Sequence, residues 1–327
     1  MDAEPVVRRR RAEGASGDAG ATSQKRRPAT STGRKKPPSA SRKSKASGSK
    51  KPQKKARKKT EKKAQPAAAA PTPVSGVRSY LIRPSTDGPK IRLGVLWFLA
   101  AVAALVLGRW AVLALWGSAA VLASWQITRA WSETPRAQEL PGWIPAGSAL
   151  ASGACVAAAG VGTSLGGAAL IVAPLVLVAA AMLTGRKPAA AGAAVIGAVL
   201  ASLPAMSVVL IAREEQWAAL FLVVAVSFYD AGYFIGAAES SSRLEGPVTG
   251  AIGLLAVTFT ASAFEAQPFD RATAWVAGAV MLLACPLGQM LTSAELPHPS
   301  TDVPAMRRLD SYLVAAPLML GAVWALS

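Results

Sequence analysis

Two short stretches in an otherwise apolar region of this 327-residue chain hold side chains that could do chemistry. One is Asp230, set in the run from Val223 to Gly236; the other is Arg307-Arg308-Leu309-Asp310-Ser311, just ahead of a last apolar segment. A carboxylate within a membrane-length apolar run costs about 2.5 to 3.5 kcal/mol on insertion scales, so it calls for a partner or a task. Asp230 could hold a cation or the polar group of a substrate, or it could form a salt bridge to an interior arginine such as Arg308. The glycines after it, Gly232 and Gly236, let a ligand or a backbone come close. Arg308 and Asp310 stand two apart at the start of an expected helix and so point to different faces, with Ser311 completing a polar entrance. An acid at that position also suits the positive end of the helix dipole, which is a purely structural explanation. Between the two stretches, Arg243 with Glu245 and Gly246 adds a short polar loop. His298 lies between Pro297 and Pro299 and reads as a loop residue. There is no phosphate-cradling glycine loop of the P-loop kind, no zinc-protease helix and no Ser-His-Asp set.

These residues must be positioned by membrane helices. From Lys90 onward the chain is a series of Ala, Val, Leu and Gly-rich segments of about 17 to 22 residues, the length needed to cross a hydrocarbon core of about 30 Å. The expected spans are Ile91 to Leu107, Trp110 to Ile127, Ile144 to Val161, Ala168 to Thr184, Ala189 to Ile211, Trp217 to Gly236, Pro247 to Phe264, Thr273 to Thr292 and a short Leu313 to Leu326. Gly108-Arg109 is expected to be a tight turn, Pro204 a kink, and Pro286 a break in the eighth span. Trp97, Trp110, Trp116, Trp125 and Trp131 fall near predicted ends, as interfacial aromatics do. The fold class is therefore all-α, a polytopic integral membrane protein of about nine transmembrane helices. Cys155 and Cys285 lie in apolar runs and read as small core residues rather than a disulfide or metal site.

The net charge of +18 suggests a nucleic-acid binder, but the charge is confined to one end. Residues 1 to 70 hold 22 of the 36 Lys and Arg and five acids, leaving the other 257 residues with a net +1. Residues 1–89 form a Lys, Arg, Ala and Pro-rich tail and linker with too little apolar surface to offset the entropy of ordering, so disorder is expected. Some seventy polar residues precede the first apolar run, unlike a secretory signal, so the tail should stay unprocessed and in the cytoplasm. Beside an anionic leaflet each Lys or Arg gains about 1 kcal/mol, which makes anionic membrane lipid the expected contact, ahead of nucleic acid. With the N-terminus inside and nine spans, the inward loops hold Arg129, Arg136, Arg186, Lys187, Arg243, Arg307 and Arg308, and the outward ones Arg109, Arg213 and Arg271. That asymmetry agrees with the positive-inside rule and brings both chemistry-bearing stretches to the cytoplasmic face of the cell membrane.

Four stretches, in order, carry a resemblance. Ala123-Ser124-Trp125-Gln126, followed by Arg129, is similar to a small-x-W-E motif. Tyr229-Asp230-Ala231-Gly232-Tyr233-Phe234-Ile235-Gly236 is similar to D-x-x-A/G-Y-x-x-G. Leu244-Glu245-Gly246 is similar to the end of S-P-K-K-[ST]-W-E-G, and Arg308-Leu309-Asp310-Ser311 to the close of H-G-G-x-x-D-R-x-D-S. Together they resemble the phosphatidate cytidylyltransferases, or CDP-diacylglycerol synthases, over residues 90–327, with a degenerate C-terminal signature. The family's S-x-x-K-R, K-D and H-G-G elements are not recognisable; Arg307 replaces an acid, and Ser241 and Ser242 replace the two lysines. The resemblance implies transfer of a cytidylyl group from CTP to phosphatidate, with Mg²⁺ on Asp310 and Asp230. It implies Arg308 beside them in catalysis, and Arg243, Glu245, Gly246 and Ser311 at the substrates. Glu295 or Asp302 could stand in for the missing acid. Dimers occur in the family, so a homodimer is an expectation too. A relative without the chemistry, keeping a lipid-binding or protein-partner role in the membrane, is the alternative reading; a transporter reading rests on span count and Asp230, with no inverted repeat.

Overall fold

The computed structural model describes residues 89–134, 142–184, 188–238, 242 and 244–326. Nine α-helices occur among them: α1 (Pro89–Leu107), α2 (Arg109–Ser132), α3 (Ile144–Val161), α4 (Thr163–Leu183), α5 (Pro188–Glu214), α6 (Gln216–Ala238), α7 (Glu245–Ala263), α8 (Arg271–Glu295) and α9 (Tyr312–Leu326). No strand is present among these residues. The expectation of disorder for residues 1–89 falls almost entirely outside the described residues, as do Arg136, Arg186, Lys187 and Arg243.

The apolar segments read from the sequence each became a helix, because a backbone in hydrocarbon must satisfy its own polar groups. Seven of the helices, α2 to α8, are long and apolar enough to cross a membrane. The apolar stretches of α1 (Arg92–Leu107) and α9 (Tyr312–Ala325) are shorter. At 15 residues α9 extends about 22 Å, less than the hydrocarbon thickness. Gly108 forms the expected turn between α1 and α2, with φ +96°, a conformation that glycine adopts without a Cβ clash. Other boundaries shifted: α4 starts at Thr163, and Arg213 and Glu214 belong to the last turn of α5, leaving Glu215 as the link to α6. Pro286 does not break α8, which runs continuously from Arg271 to Glu295, and α5 likewise passes through Pro204. A single lost backbone bond is tolerated where neighbouring helices pack around it.

α5 lies at the centre, with 72% of its apolar window buried, whereas α4 lies at the periphery with 17%. α2, α3 and α5 pack on one another, α4 covers α3 and α5, and α9 packs on α5 and α8. The junction of the first three is closed by small polar side chains: Ser124 and Ser148 hydroxyls lie 2.9 Å apart and Ser148 donates to the Ala194 carbonyl at 2.8 Å. The α6–α7 pair is packed through reciprocal glycines. Gly232 and Gly236 of α6 meet Thr249, while Gly250 and Gly253 of α7 meet Tyr229 and Phe228, so an added Cβ at any of the four would strike the facing helix. Trp116, expected at an interface, is instead fully buried and packs edge-on to Trp97 and Tyr312 at 5.3 and 4.8 Å. It sits two turns into α2. Cys155 and Cys285 are buried and free, in keeping with core positions.

Candidate functional site

The second half of α6, the last turns of α8 and the turn preceding α9 meet at one end of the bundle. Two features of the sequence allow it. Gly288 on α8 has no side chain, so the backbone carbonyl of Asp310 closes directly against the helix. Residues Met306–Arg308 form a 3₁₀ turn and α9 begins only at Tyr312, so Asp310 and Ser311 occupy a bend before the helix rather than its first turn. The bend is tied to α2 by the Ala305 N–H, which donates to Gln126 Oε1 at 2.9 Å. Arg308 lies against α1, where a Cβ on Gly94 would touch its guanidinium at 3.4 Å.

Ser311 joins the two acids. Its hydroxyl donates to Asp230 Oδ1 at 2.6 Å and its backbone N–H donates to Asp310 Oδ1 at 2.8 Å. Gln289 Nε2 donates to the Ser311 hydroxyl oxygen at 2.9 Å and to Asp230 Oδ1 at 3.3 Å. A carboxylate only accepts, so the amide must present its nitrogen there and turn its oxygen away. Asp310 is 6% exposed, and its other oxygen pairs with Arg307 at 3.5 Å. Arg307 in turn donates to Ser293 Oγ at 3.1 Å and to the Pro299 carbonyl at 2.8 Å. Burial pushes the Asp310 carboxyl above the ordinary aspartate range, and the Arg307 guanidinium pulls in the opposite direction.

The network leaves acceptors over. Gln289 Oε1, Tyr229 Oη and Thr292 Oγ1 are buried without a hydrogen-bond partner. An unmet buried polar atom costs about 1 to 3 kcal/mol, so such atoms point to water or an ion.

Of the residues expected at a site, Asp230, Asp310 and Ser311 are brought together, and Arg308 stands at their edge against α1. Glu245 is exposed on the first turn of α7, and Gly246 is a packing position under Tyr233 and Ala237. Arg243 lies outside the described residues. Glu295 and Asp302, the candidates for a missing acid, are exposed at the end of α8 and in the following loop. His298 is a loop residue hydrogen-bonded to Ser300 at 2.7 Å. The residues that sequence reasoning missed are Gln289 and Ser293. A single glutamine or serine in an apolar helix has no spacing signature, whereas Arg307 lies within the polar stretch and there pairs with Asp310.

No family model, curated protein or solved structure matches this chain.

Mg²⁺ is the ion the resemblance implies. Among the described residues no group of three or more His, Cys, Asp or Glu could hold a metal. Mg²⁺, however, commonly takes one or two carboxylates and fills its octahedron with waters and substrate phosphates. Asp230 and Asp310 supply two carboxylates at this end of the bundle, joined through Ser311, and Asp310 is already paired with Arg307.

Proposed function

We propose that this chain is a phosphatidate cytidylyltransferase-like protein of phospholipid biosynthesis, making CDP-diacylglycerol from CTP and phosphatidate. The observation that carries the reading is the Ser311 bridge. Two stretches about 80 residues apart, similar to different motifs of one family, meet where the Ser311 hydroxyl donates to Asp230, with Asp310 next to Ser311 in the chain. In the reaction an oxygen of the lipid phosphate attacks the α-phosphorus of CTP, a P–O–P bond forms, and the bond to the β-phosphate breaks with release of pyrophosphate. Asp230 and Asp310 would hold Mg²⁺, which when bound supplies charge neutralisation on the phosphates. Ser311 fixes the two carboxylates relative to each other. Arg307 holds Asp310 in the bend, and Arg308 offers a guanidinium to a phosphate, for which its planar fork is suited. Arg243, Glu245 and Gly246, at the loop between α6 and α7, would contact the substrates.

In this reading all nine helices span the plasma membrane, the basic N-terminal tail lies in the cytoplasm against anionic lipid, and the site opens at the cytoplasmic face. A homodimer is compatible with the exposed apolar faces.

A second reading is favoured by one observation. Arg307 already occupies an oxygen of Asp310, and no third acid joins the pair among the described residues. That suits a relative that keeps a lipid head group or a protein partner at this end of the bundle without turning over CTP.

Purified protein in detergent, given CTP, phosphatidate and Mg²⁺, separates the two. Formation of CDP-lipid that falls at least about a hundredfold in Asp310→Asn supports the enzyme. Folded protein without turnover, beside a working positive control, eliminates it.

A further inference from the structure

The polar network lies at membrane depth. Exposed tryptophans mark the opposite end of the bundle: Trp110, Trp217 and Trp275 stand near the starts of α2, α6 and α8, where interfacial aromatics belong. At a rise of about 1.5 Å per residue, Asp230 is about 20 Å along α6 from Trp217, and Gln289 about 21 Å along α8 from Trp275. On α9 the exposed Trp324 is about 20 Å from Ser311. Three helices thus put the network at one level, about 10 Å short of a hydrocarbon thickness of about 30 Å.

Where the lipid follows that level differs around the bundle. The peripheral α4 is uncharged over its 21 residues, about 31 Å, and matches the full thickness. The outer faces of α6 and α8 also stay apolar past the network. Ile235 is exposed about 140° around α6 from Asp230, and Leu291 about 160° around α8 from Gln289. α1 is different. It lies against the bend before α9, with Gly94 facing the Arg308 guanidinium, and its Trp97 stacks edge-on with Trp116, which meets Tyr312 at the start of α9. Its apolar stretch begins at the exposed Arg92 and ends at Leu107, about 24 Å, with Leu93, Leu96 and Leu99 turned outward. α1 is therefore a short wall on the side of the network that Arg308 occupies.

We propose that the bilayer is thinned by about 6 Å against α1 and the bend before α9, so that phospholipid head groups sink there to the level of Arg308. A hydrophobic stretch shorter than the hydrocarbon layer is met by local thinning, and a charged group at depth is relieved by the same deformation. The inference rests on the reading above for α1 and α9 as spans. It goes beyond that reading in making the leaflet itself the partner: the bilayer's shape, set by α1, carries a lipid phosphate to the guanidinium.

The test is the melting temperature of the full chain in phosphatidylcholine bilayers whose monounsaturated chains run from about 14 to about 22 carbons. Stability should be greatest in the thin bilayers and fall step by step as the chains lengthen. Arg92→Leu lets the apolar stretch run on through Ile91, about 3 Å further, and should move the maximum toward longer chains. Leu96→Asn, at an exposed position, shortens the stretch and should move it the other way; it carries the test if Arg92→Leu fails to fold. A maximum in the thickest bilayers would overturn the inference, as would a profile that neither substitution moves. Labelling of Arg92→Cys and Trp110→Cys by an impermeant maleimide from the same face of vesicles would overturn it too, by removing α1 as a span. Failure of the enzymatic reading shows separately: no CDP-lipid forms in any bilayer, and Mn²⁺ supplied in place of Mg²⁺ keeps its free-ion electron paramagnetic resonance signal, while the thickness profile stands.

Discussion

The two ends of α8 carry similar residues in opposite settings. At its start Asp270 accepts the Thr273 N–H at 2.7 Å, and the Thr273 hydroxyl closes back on the Asp270 backbone and side chain, a capping box made within four residues. Nearby, Arg271 and Glu265 pair at 3.6 Å while mostly exposed. The polar groups of this cap are answered within the same turn. At the other end Gln289, Ser293, Arg307, Asp310 and Ser311 are answered by residues from three elements, and buried acceptors remain unanswered. A local, exposed cap stabilises a helix and asks for nothing else. A long-range, buried network with leftover acceptors is costly unless something completes it.

The largest effect should come from closing the space that lets the buried end form. Gly288→Val would place a branched side chain where the Asp310 carbonyl lies, and overpacking of this kind costs about 1 to 3 kcal/mol or more. Folded yield and melting temperature should both fall, and any surviving protein should have lost Mn²⁺ binding. Normal stability in Gly288→Val would mean that the bend is loosely held and that the two ends of α8 differ little. Next in size is Ser311→Ala. It removes the hydroxyl from Asp230 and leaves both that carboxylate and Gln289 short of a partner, at a cost of about 1 to 3 kcal/mol. Its melting temperature should drop less when Mn²⁺ is present, because a cation can take over the bridge. Equal losses with and without Mn²⁺ would argue that Ser311 serves the fold alone.

How much of this contrast could be read from the chain itself differs between its parts. The helices were legible because apolar runs of membrane length admit few alternatives, and Gly232 and Gly236, read as places where a ligand or a backbone comes close, are met by Thr249 of the neighbouring helix. Asp230 and Asp310 stood out because charge in or beside an apolar run is rare. What could not be read was which cation answers which acid. Asp310 pairs with Arg307 at 3.5 Å, and Asp230 accepts hydrogen bonds from Ser311 and Gln289. The choice depends on where the chain bends before α9, and the 3₁₀ turn at Met306–Arg308 has no signature in a run of a methionine and two arginines. Trp116 misled for a related reason: whether a tryptophan near a span end faces lipid or the core depends on neighbours that arrive from α1 and α9.

The smallest effect belongs to the exposed end, and it sharpens the comparison through pH. Backbone and side-chain hydrogen bonds from Thr273 hold the Asp270 carboxyl below its ordinary value. A carboxyl whose folded value is depressed adds stability above its unfolded value, and that stability is lost as pH falls through the folded one. The melting temperature of the unaltered chain should therefore exceed that of Asp270→Asn slightly at neutral pH, and the gap should close as the pH is lowered below about 4. Neither Mn²⁺ affinity nor CDP-lipid formation should change, because nothing in the capping box reaches the far end of α8. A change in Mn²⁺ binding on losing this cap would show that α8 transmits strain along its length, and the two ends would then have to be treated as one device.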